Sequence, residues 1–392
     1  MLNRRSLRIK AMQNIFAFKQ CQQANYNLAK DLIKEQFSPD LNSMEPQNIE
    51  ELTAKKLVVF DLFEKFYLDK VVNNTEGTSS ELLEAAQGAI DNFYNQSKKD
   101  LDFLRKTMIK SAENIYNTYL LLLLLISELA EIEESETEDK KQKAAKKKIT
   151  YIEEALPYSS NKVVDKIKNN KELQVEALRN KVDWAGKRDV LKQWYKELIK
   201  EVEFQEYKGR SEHTFEEDKD FVLTVVKNFI FKNDLIKSFL EEDDLNWGED
   251  KSIVKSMVLK TIKSMTPDEG KFELMALASN WEDDRIFFED IFDLTIKRDR
   301  EYEDLIAGKT KNWDIERVAA LDKVILKMAL NEMLNFPSIP VKVTINEYIE
   351  ISKNYSTPKS RQFINGILDV VADELQNEGK IRKSGRGLID NK

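Results

Sequence analysis

The sequence contains few of the residues that interrupt regular secondary structure. Its 392 residues include only 11 glycines and 7 prolines, which are too few for the many turns of an all-β fold. Lysine, glutamate and leucine are abundant instead, and their side chains lose little rotamer freedom in a helix. The composition therefore predicts an all-α protein, and the length predicts two or three lobes rather than one.

Cysteine and long apolar runs are scarce as well. Cys21 is the single cysteine, which excludes an intrachain disulfide and indicates a reducing compartment. The most apolar run, residues 120–126, is far shorter than the roughly 20 residues that span a membrane, so we predict a buried core helix there. The basic N-terminus is not followed by an apolar stretch, which argues against a signal peptide. These features predict a cytoplasmic protein without membrane contact.

Residues able to carry out covalent chemistry are nearly absent. His213 is the single histidine, and a catalytic pair with Cys21 has no further support in the sequence. Residues 308–310 imitate the end of a phosphate-binding loop, but glutamate stands where that loop requires its first glycine. The acidic clusters at 241–244 and 283–284 are of a kind that usually stays solvated, and the first fails the spacing of a calcium loop. We therefore predict no catalytic residue, no cofactor and no metal: the protein is not an enzyme.

Charge is unevenly distributed along the chain. The formal net charge is −8, which argues against nucleic-acid binding over the whole surface. Residues 1–30 nevertheless contain arginine and lysine but no acid, and most of the charged residues after Glu378 are basic. A lysine-rich run at 140–148 follows an acidic stretch. It is interpreted either as an RNA- or partner-binding arm or as a solvated helix end, and the second is the usual role of such runs. Any polyanion contact is predicted to be local.

Helical periodicity predicts that the first helix begins near Asn3, a good N-cap residue. One face of this helix is apolar, and the adjacent face mixes cations with an aromatic ring. The apolar face contains Leu7, Ala11, Ile15 and Phe18, and the adjacent face contains Arg5, Arg8, Met12, Phe16 and Lys19.

Three further helices are predicted near the other end of the chain. The first is capped by Asn312 and stops before a proline-containing segment. Thr344 and Glu347 match a capping box that opens the second, and Thr357, followed by proline, opens the third. Gly366 lies inside the third helix, where glycine costs about 1 kcal/mol relative to alanine, so we predict close approach of a neighbouring helix there. Short connections predict a compact antiparallel bundle.

Four stretches, taken together, resemble the NusB family of transcription antitermination factors. The arginine-rich stretch at residues 4–16 is similar to the family's first helix. Residues 326–332 (LKMALNE), 339–347 (IPVKVTINE) and 363–369 (FINGILD) are similar to its later signatures, in the same order and spacing. The resemblance implies a helical bundle of the NusB type, with an additional helical region inserted after the first helix.

The resemblance also divides the chain into segments. Residues 1–25 form the basic first helix, 26–210 the inserted region, 284–378 the family-like core and 379–392 a basic tail. Residues 211–283 form a helical unit that weakly echoes the next: Phe221 precedes Trp247, and Phe287 precedes Trp313, by the same 26 residues. Duplication and chance similarity of amphipathic helices both explain this echo.

The family resemblance implies that the protein binds the single-stranded boxA RNA of ribosomal RNA operons. It implies that this happens together with the ribosomal protein NusE, in the RNA polymerase antitermination complex of the bacterial cytoplasm. Arginine guanidinium groups pair with phosphates and stack on bases, and the amides at a helix start favour an anion. The predicted RNA-binding residues are Arg4, Arg5, Arg8, Gln13, Phe16, Lys359, Ser360, Arg361 and Phe363. The predicted NusE-facing residues are Asp322 and Glu332.

Two features test this interpretation. Family members often carry an acid where Lys359 stands, which favours phosphate contact here and puts the base contacts in doubt. Charge reversal of Arg5 and Arg8 together is predicted to weaken RNA binding more than about tenfold without unfolding the protein. The alternative is a helical scaffold in ribosome biogenesis that has lost sequence-specific RNA binding. The NusB-like domain of ribosomal RNA methyltransferases does not fit, because too few residues follow residue 378 for a catalytic domain.

Overall fold

The computed structural model describes residues 1–44, 46–69, 78–150, 157–210, 212–268, 272–309 and 318–389. These residues form fifteen α-helices with short 3₁₀ and π segments between some of them, and they contain no β-strand. The predicted all-α class is confirmed. The helices are α1 (Arg4–Gln36), α2 (Ile49–Asp69), α3 (Ser80–Lys146), α4 (Lys162–Lys168), α5 (Lys171–Asn180), α6 (Arg188–Leu198), α7 (Val202–Lys208), α8 (Phe215–Thr224), α9 (Asp234–Asp243), α10 (Trp247–Ser264), α11 (Trp281–Lys297), α12 (Asp299–Lys309), α13 (Ala320–Asn335), α14 (Val341–Tyr355) and α15 (Pro358–Asn377).

The chain divides into two compact units. The terminal unit comprises residues 4–109 and 285–392, and the middle unit comprises residues 1–3 and 110–284. These units do not follow the predicted boundaries at 25 and 210. There is no boundary at residue 25 because α1 continues without a break to Gln36. The second half of α1 packs with α2 and the start of α3.

The terminal unit has two cores. One is formed by the second half of α1, α2 and the first turns of α3, and it contains Ile33, Phe63 and Phe93. The other surrounds α13, whose residues from 324 to 333 are all buried. Helices α1, α12, α14 and α15 all pack against α13. The predicted bundle of terminal helices is therefore organised around one fully enclosed helix.

The helix boundaries near the C-terminus test three sequence predictions. Helix α13 ends before Pro337 as predicted, and Thr357 caps α15 by accepting a hydrogen bond from the Ser360 amide at 3.2 Å. The capping box at Thr344 and Glu347 is wrong, because α14 begins one turn earlier at Val341. The helix predicted from Asn312 begins at Ala320 within the described residues, and residues 310–317 lie outside them.

Helix α3 is longer than the sequence indicates. Its periodicity predicts two helices, over residues 82–94 and 101–132, but one helix of 67 residues runs through both. The intervening residues are polar yet include no proline or glycine, so nothing interrupts the backbone. Helix α3 meets the length and composition of a membrane span, but 67% of its most apolar window is buried inside the protein. The prediction of a core helix at residues 120–126 is confirmed.

The middle unit is held together by aromatic and capping contacts. Tyr158, Phe204 and Phe221 form one buried aromatic cluster. Asn161 caps α4 by accepting hydrogen bonds from two backbone amides, which satisfies donors that a helix start otherwise leaves unpaired. A capping box does occur in this unit, at Thr214 and Glu217, where the sequence analysis did not predict one.

The predicted basic tail is packed rather than free. Lys383 donates hydrogen bonds to the carbonyl oxygens of Phe336 at 2.9 Å and Glu332 at 3.4 Å, at the end of α13. Burial lowers the pKa of Lys383 to about 8. A Cβ on Gly387 would lie 2.1 Å from the Pro337 carbonyl oxygen, so only glycine fits there. The tail therefore covers the C-terminal end of α13.

Candidate nucleic-acid interface

The N-terminal half of α1 has an enclosed side and an exposed side. Leu7, Ala11 and Ile15 are buried as predicted. Arg8 lies on the enclosed side with 3% of its surface exposed, whereas the Arg5 side chain is 50% exposed. The predicted RNA-binding arginines are therefore split between interior and surface.

Arg8 forms a buried ion pair with Glu332 of α13. Its Nε and Nη2 atoms donate to the two carboxylate oxygens at 2.7 and 2.8 Å. The same carboxylate accepts from the Thr344 hydroxyl at 2.8 Å and the Tyr348 hydroxyl at 3.4 Å. Burial lowers the pKa of Arg8, but the charge and hydrogen bonds of Glu332 outweigh it, so the net shift is upward. This geometry joins α1 to α13 and α14.

These placements correct two predictions. Arg8 is wrong as an RNA contact, because reaching a ligand would leave Glu332 as an unpaired buried charge, which is strongly destabilising. Glu332 is wrong as a NusE-facing residue, because it is fully buried. The sequence pattern could not separate these roles, since arginines three residues apart share the polar side of a helix.

Asp322 is also in the interior. It is 3% exposed and accepts a hydrogen bond from the Ser356 hydroxyl, one residue before the cap of α15. The prediction that Asp322 faces a partner is therefore wrong. Its carboxylate instead joins the start of α13 to the turn that precedes α15.

Arg5 forms an ion pair at the surface. Its Nε and Nη2 atoms donate to Glu347 of α14 at 2.8 and 2.7 Å. The hydrogen bonds from Arg5 lower the pKa of the Glu347 carboxyl, and the nearby charge of Arg8 acts in the same direction. Two of the guanidinium N–H groups are thereby used, and the others remain available to an anion. The Arg4 guanidinium carbon lies 4.8 Å from the centre of the Phe287 ring of α11.

The first turn of α15 supplies the second group of predicted residues. Lys359 and Arg361 are exposed, while Ser360 and Phe363 are half-buried. Helix α14 contacts both α1 and α15. On its surface, Glu350 has a lowered pKa because of the hydrogen bond from Lys353, its charge, and then the charges of Arg5 and Arg361. Arg5 and Arg361 thus both act on one exposed carboxylate.

The remaining predicted residues lie on α1 or α15 without a deciding contact. Gln13 and Phe16 are half-buried, so part of each side chain is exposed, and their RNA-binding role stays a prediction. The close helix approach predicted at Gly366 is wrong, because a Cβ there would meet no atom within 4 Å. Asn365 donates to Asp369 at 2.9 Å within α15 rather than to a neighbouring backbone.

Sequence reasoning missed the acids that organise this surface. Glu347 and Glu350 lie one turn apart on α14, each beside cationic side chains. Glu347 was assigned to a capping box, and the i, i+3 spacing of the two acids was the signal that could have paired them with basic residues. Among the described residues, no group of three or more potential metal ligands occurs.

The described residues define a class: a helical bundle whose first and last long helices each begin with exposed arginine, Arg5 on α1 and Arg361 on α15. A family model described as "NusB family" matches residues 252–373. The transcription antitermination protein NusB of Salinibacter ruber is 39% identical over 141 residues, covering 34% of this chain and 88% of the relative. The chain therefore belongs to the NusB family.

Two further relatives carry the same name. The protein of Koribacter versatilis is 46% identical, covering 25% of this chain and 68% of its own length. That of Chloroherpeton thalassium is 38% identical, covering 35% of this chain and 61% of its own. A solved structure of T. maritima NusB is 28% identical and covers 40% of this chain and 91% of that one, with a TM-score of 0.21. That score supports no structural argument, so membership rests on sequence.

Proposed function

We propose that the protein is a non-catalytic transcription antitermination factor of the bacterial cytoplasm. It binds boxA-type single-stranded RNA of ribosomal RNA operons together with NusE, within an RNA polymerase antitermination complex. Support comes from family membership and from the relatives, each of which is a transcription antitermination protein by name.

One observation carries the RNA-binding part of the proposal. Arg5 of α1 is held at the surface of α14 by Glu347, and the exposed Arg361 stands in the first turn of α15, which packs against the same helix. After the hydrogen bond and charge of Lys353, the charges of Arg5 and Arg361 both lower the pKa of Glu350 on α14, which agrees with this placement. A phosphate that contacts these two guanidinium groups accepts charge-assisted hydrogen bonds, which are stronger than those between neutral groups. Lys359 adds a third cation in the same turn as Arg361.

The buried residues act as positioning residues for this surface. The ion pair between Arg8 and Glu332 fixes α1 against α13 and α14. Glu347 then orients the Arg5 guanidinium through two hydrogen bonds. An arginine that is already oriented loses less conformational entropy when it binds a phosphate. Phe16 and Phe363 supply partly exposed aromatic rings on the two helices, and such rings stack on unpaired bases.

The test is a titration of boxA-like single-stranded RNA, with and without NusE, at several salt concentrations. The double variant Arg5→Gln/Arg361→Gln removes both surface cations without disturbing the buried pair. We expect its affinity to fall by more than about tenfold and its log–log salt slope to fall by roughly 1.4, since each phosphate contact contributes about 0.7.

Arg179→Gln is the matched control. Arg179 is also exposed and also pairs with a glutamate, Glu176, but it belongs to the middle unit. The Arg179→Gln variant should bind RNA with the same affinity as the parent protein. If the double variant and the parent protein bound boxA-like RNA with equal affinity, the assignment of this surface as the RNA-binding site would be wrong. Absence of any boxA preference in the parent protein, even with NusE present, would favour the scaffold function instead.

A further inference from the structure

The C-terminal end of α3 carries a concentration of positive charge that the proposed function does not use. Residues 140–148 (KKQKAAKKK) contain six lysines and no acid, and all six side chains are exposed. We name these residues the basic tip. They belong to the middle unit and lie outside the residues matched by the family model.

Among the described residues, four of the six lysines of the basic tip have no acidic partner. Within the described residues, Lys140, Lys143, Lys146 and Lys147 form no ion pair. Glu136 and Asp139 stand four residues before Lys140 and Lys143, the spacing that favours an ion pair on a helix, yet neither pair forms. Glu138 accepts instead from Gln142 at 3.1 Å. No ion pair with these four lysines therefore offsets their mutual repulsion.

The end of the helix also places lysine where glycine is the usual residue. Lys148 has a φ of 55°. The Ile149 amide donates to Ala144 at 2.9 Å and the Lys148 amide donates to Ala145 at 3.0 Å, which is the Schellman pattern of helix termination. A side chain with a Cβ is disfavoured in this left-handed conformation. Lys148 therefore places a cationic side chain at a position where its Cβ lowers the stability of the helix end.

We propose that the basic tip is a second RNA-binding site, which holds RNA through its phosphates without reading its sequence. Lysine binds phosphate as a point charge, whereas base recognition uses the planar fork of arginine or aromatic stacking. The tip has neither arginine nor an aromatic residue. A membrane-binding helix needs a large apolar face, and the tip offers only Ala144 and Ala145. Protein interfaces are depleted in lysine. The chemistry therefore fits an RNA backbone.

The proposal goes beyond the boxA site, because it requires neither that sequence nor NusE. Its test uses the full chain and polyuridine, an RNA without boxA, so that failure of boxA recognition leaves the measurement intact. The tip variant changes four lysines to glutamine, and the control variant changes four scattered, exposed lysines of the same unit. The tip variant carries Lys140→Gln, Lys143→Gln, Lys146→Gln and Lys147→Gln; the control carries Lys171→Gln, Lys196→Gln, Lys227→Gln and Lys232→Gln.

The expected result is a loss confined to the tip variant. Its affinity for polyuridine falls at least about tenfold at low salt, and its salt slope falls by up to about 3, because each single-strand phosphate contributes about 0.7. Unchanged polyuridine binding, or an equal loss in both variants, would overturn the proposal. Loss of binding to anionic vesicles or to polyglutamate, with RNA binding intact, would overturn it in favour of a membrane or an acidic protein.

Lys148→Gly separates a structural role from a binding role. Glycine relieves the left-handed backbone, so the variant's Tm should rise. If the tip binds RNA, the same variant loses about 0.7 of salt slope. A raised Tm with unchanged polyuridine binding would show that Lys148 makes no RNA contact and would limit the site to the preceding lysines.

Discussion

Arg5 and Arg8 lie three residues apart on α1, yet one faces solvent and the other is enclosed. Both donate two hydrogen bonds to a glutamate of the same bundle, Arg5 to Glu347 and Arg8 to Glu332. The difference is solvation: the Glu332 side chain is 0% exposed and that of Glu347 is 19% exposed. The same bidentate geometry therefore has two roles. The buried pair holds helices together, and the surface pair keeps a cation exposed to solvent.

The largest effect is expected at the buried pair. Glu332→Gln removes the carboxylate that is hydrogen-bonded to Arg8 and leaves only that of Glu347, 3.6 Å from the Arg8 guanidinium. Breaking a buried pair from one side costs about 3–5 kcal/mol. The free energy of unfolding, measured by urea titration, should fall by that amount. Arg8→Gln should do the same from the other side.

The enclosed position of Arg8 also changes the result expected when the charges of Arg5 and Arg8 are reversed together. Charge reversal of Arg5 and Arg8 together was expected to leave the fold intact, but reversal of Arg8 places a second carboxylate against Glu332. That double variant should be unfolded or strongly destabilised, so loss of RNA binding in it would carry no information about the surface. A stable double variant would contradict the enclosed position of Arg8.

A smaller effect on stability is expected at Arg5. Arg5→Gln removes one surface ion pair, and such pairs contribute at most about 1 kcal/mol. Its boxA affinity should nevertheless fall severalfold, because one oriented phosphate contact is lost. Urea unfolding and RNA titration on the same preparation give both values. A fall of several kcal/mol in the free energy of unfolding would show that Arg5 has a structural role, as Arg8 has. It would contradict the assignment of Arg5 to the exposed side of α1.

The sequence predicts the fold class well because helical periodicity is a local property. The buried positions Leu7, Ala11 and Ile15, the stop before Pro337 and the cap at Thr357 all follow from patterns within a few residues. The two helices predicted in place of α3 show the limit, because a run of polar residues without proline or glycine does not by itself end a helix.

The candidate site was only partly predictable, because its roles depend on contacts between distant segments. Glu332 lies 324 residues after Arg8 and Glu347 lies 342 after Arg5. No local pattern states that an acid on α13 will enclose one arginine while an acid on α14 holds the other at the surface. The same reason explains Asp322, whose partner Ser356 belongs to a different turn. Charge and residue type pointed to the terminal helices, and packing separated the buried residues among them from the exposed ones.

The smallest expected effect is the pH dependence of the surface pair. The pKa of Glu347 is lowered in the folded protein, chiefly by hydrogen bonds from Arg5. A carboxyl with a lowered folded pKa contributes stability above its unfolded pKa and loses it as the pH falls through the folded value. A double-mutant cycle of Arg5→Gln and Glu347→Gln should therefore give a coupling of about 0.5 kcal/mol at neutral pH, reduced by solvent screening. The coupling should vanish in acid, where Glu347 is protonated. A coupling that persists unchanged in acid would mean that packing rather than charge joins the two residues.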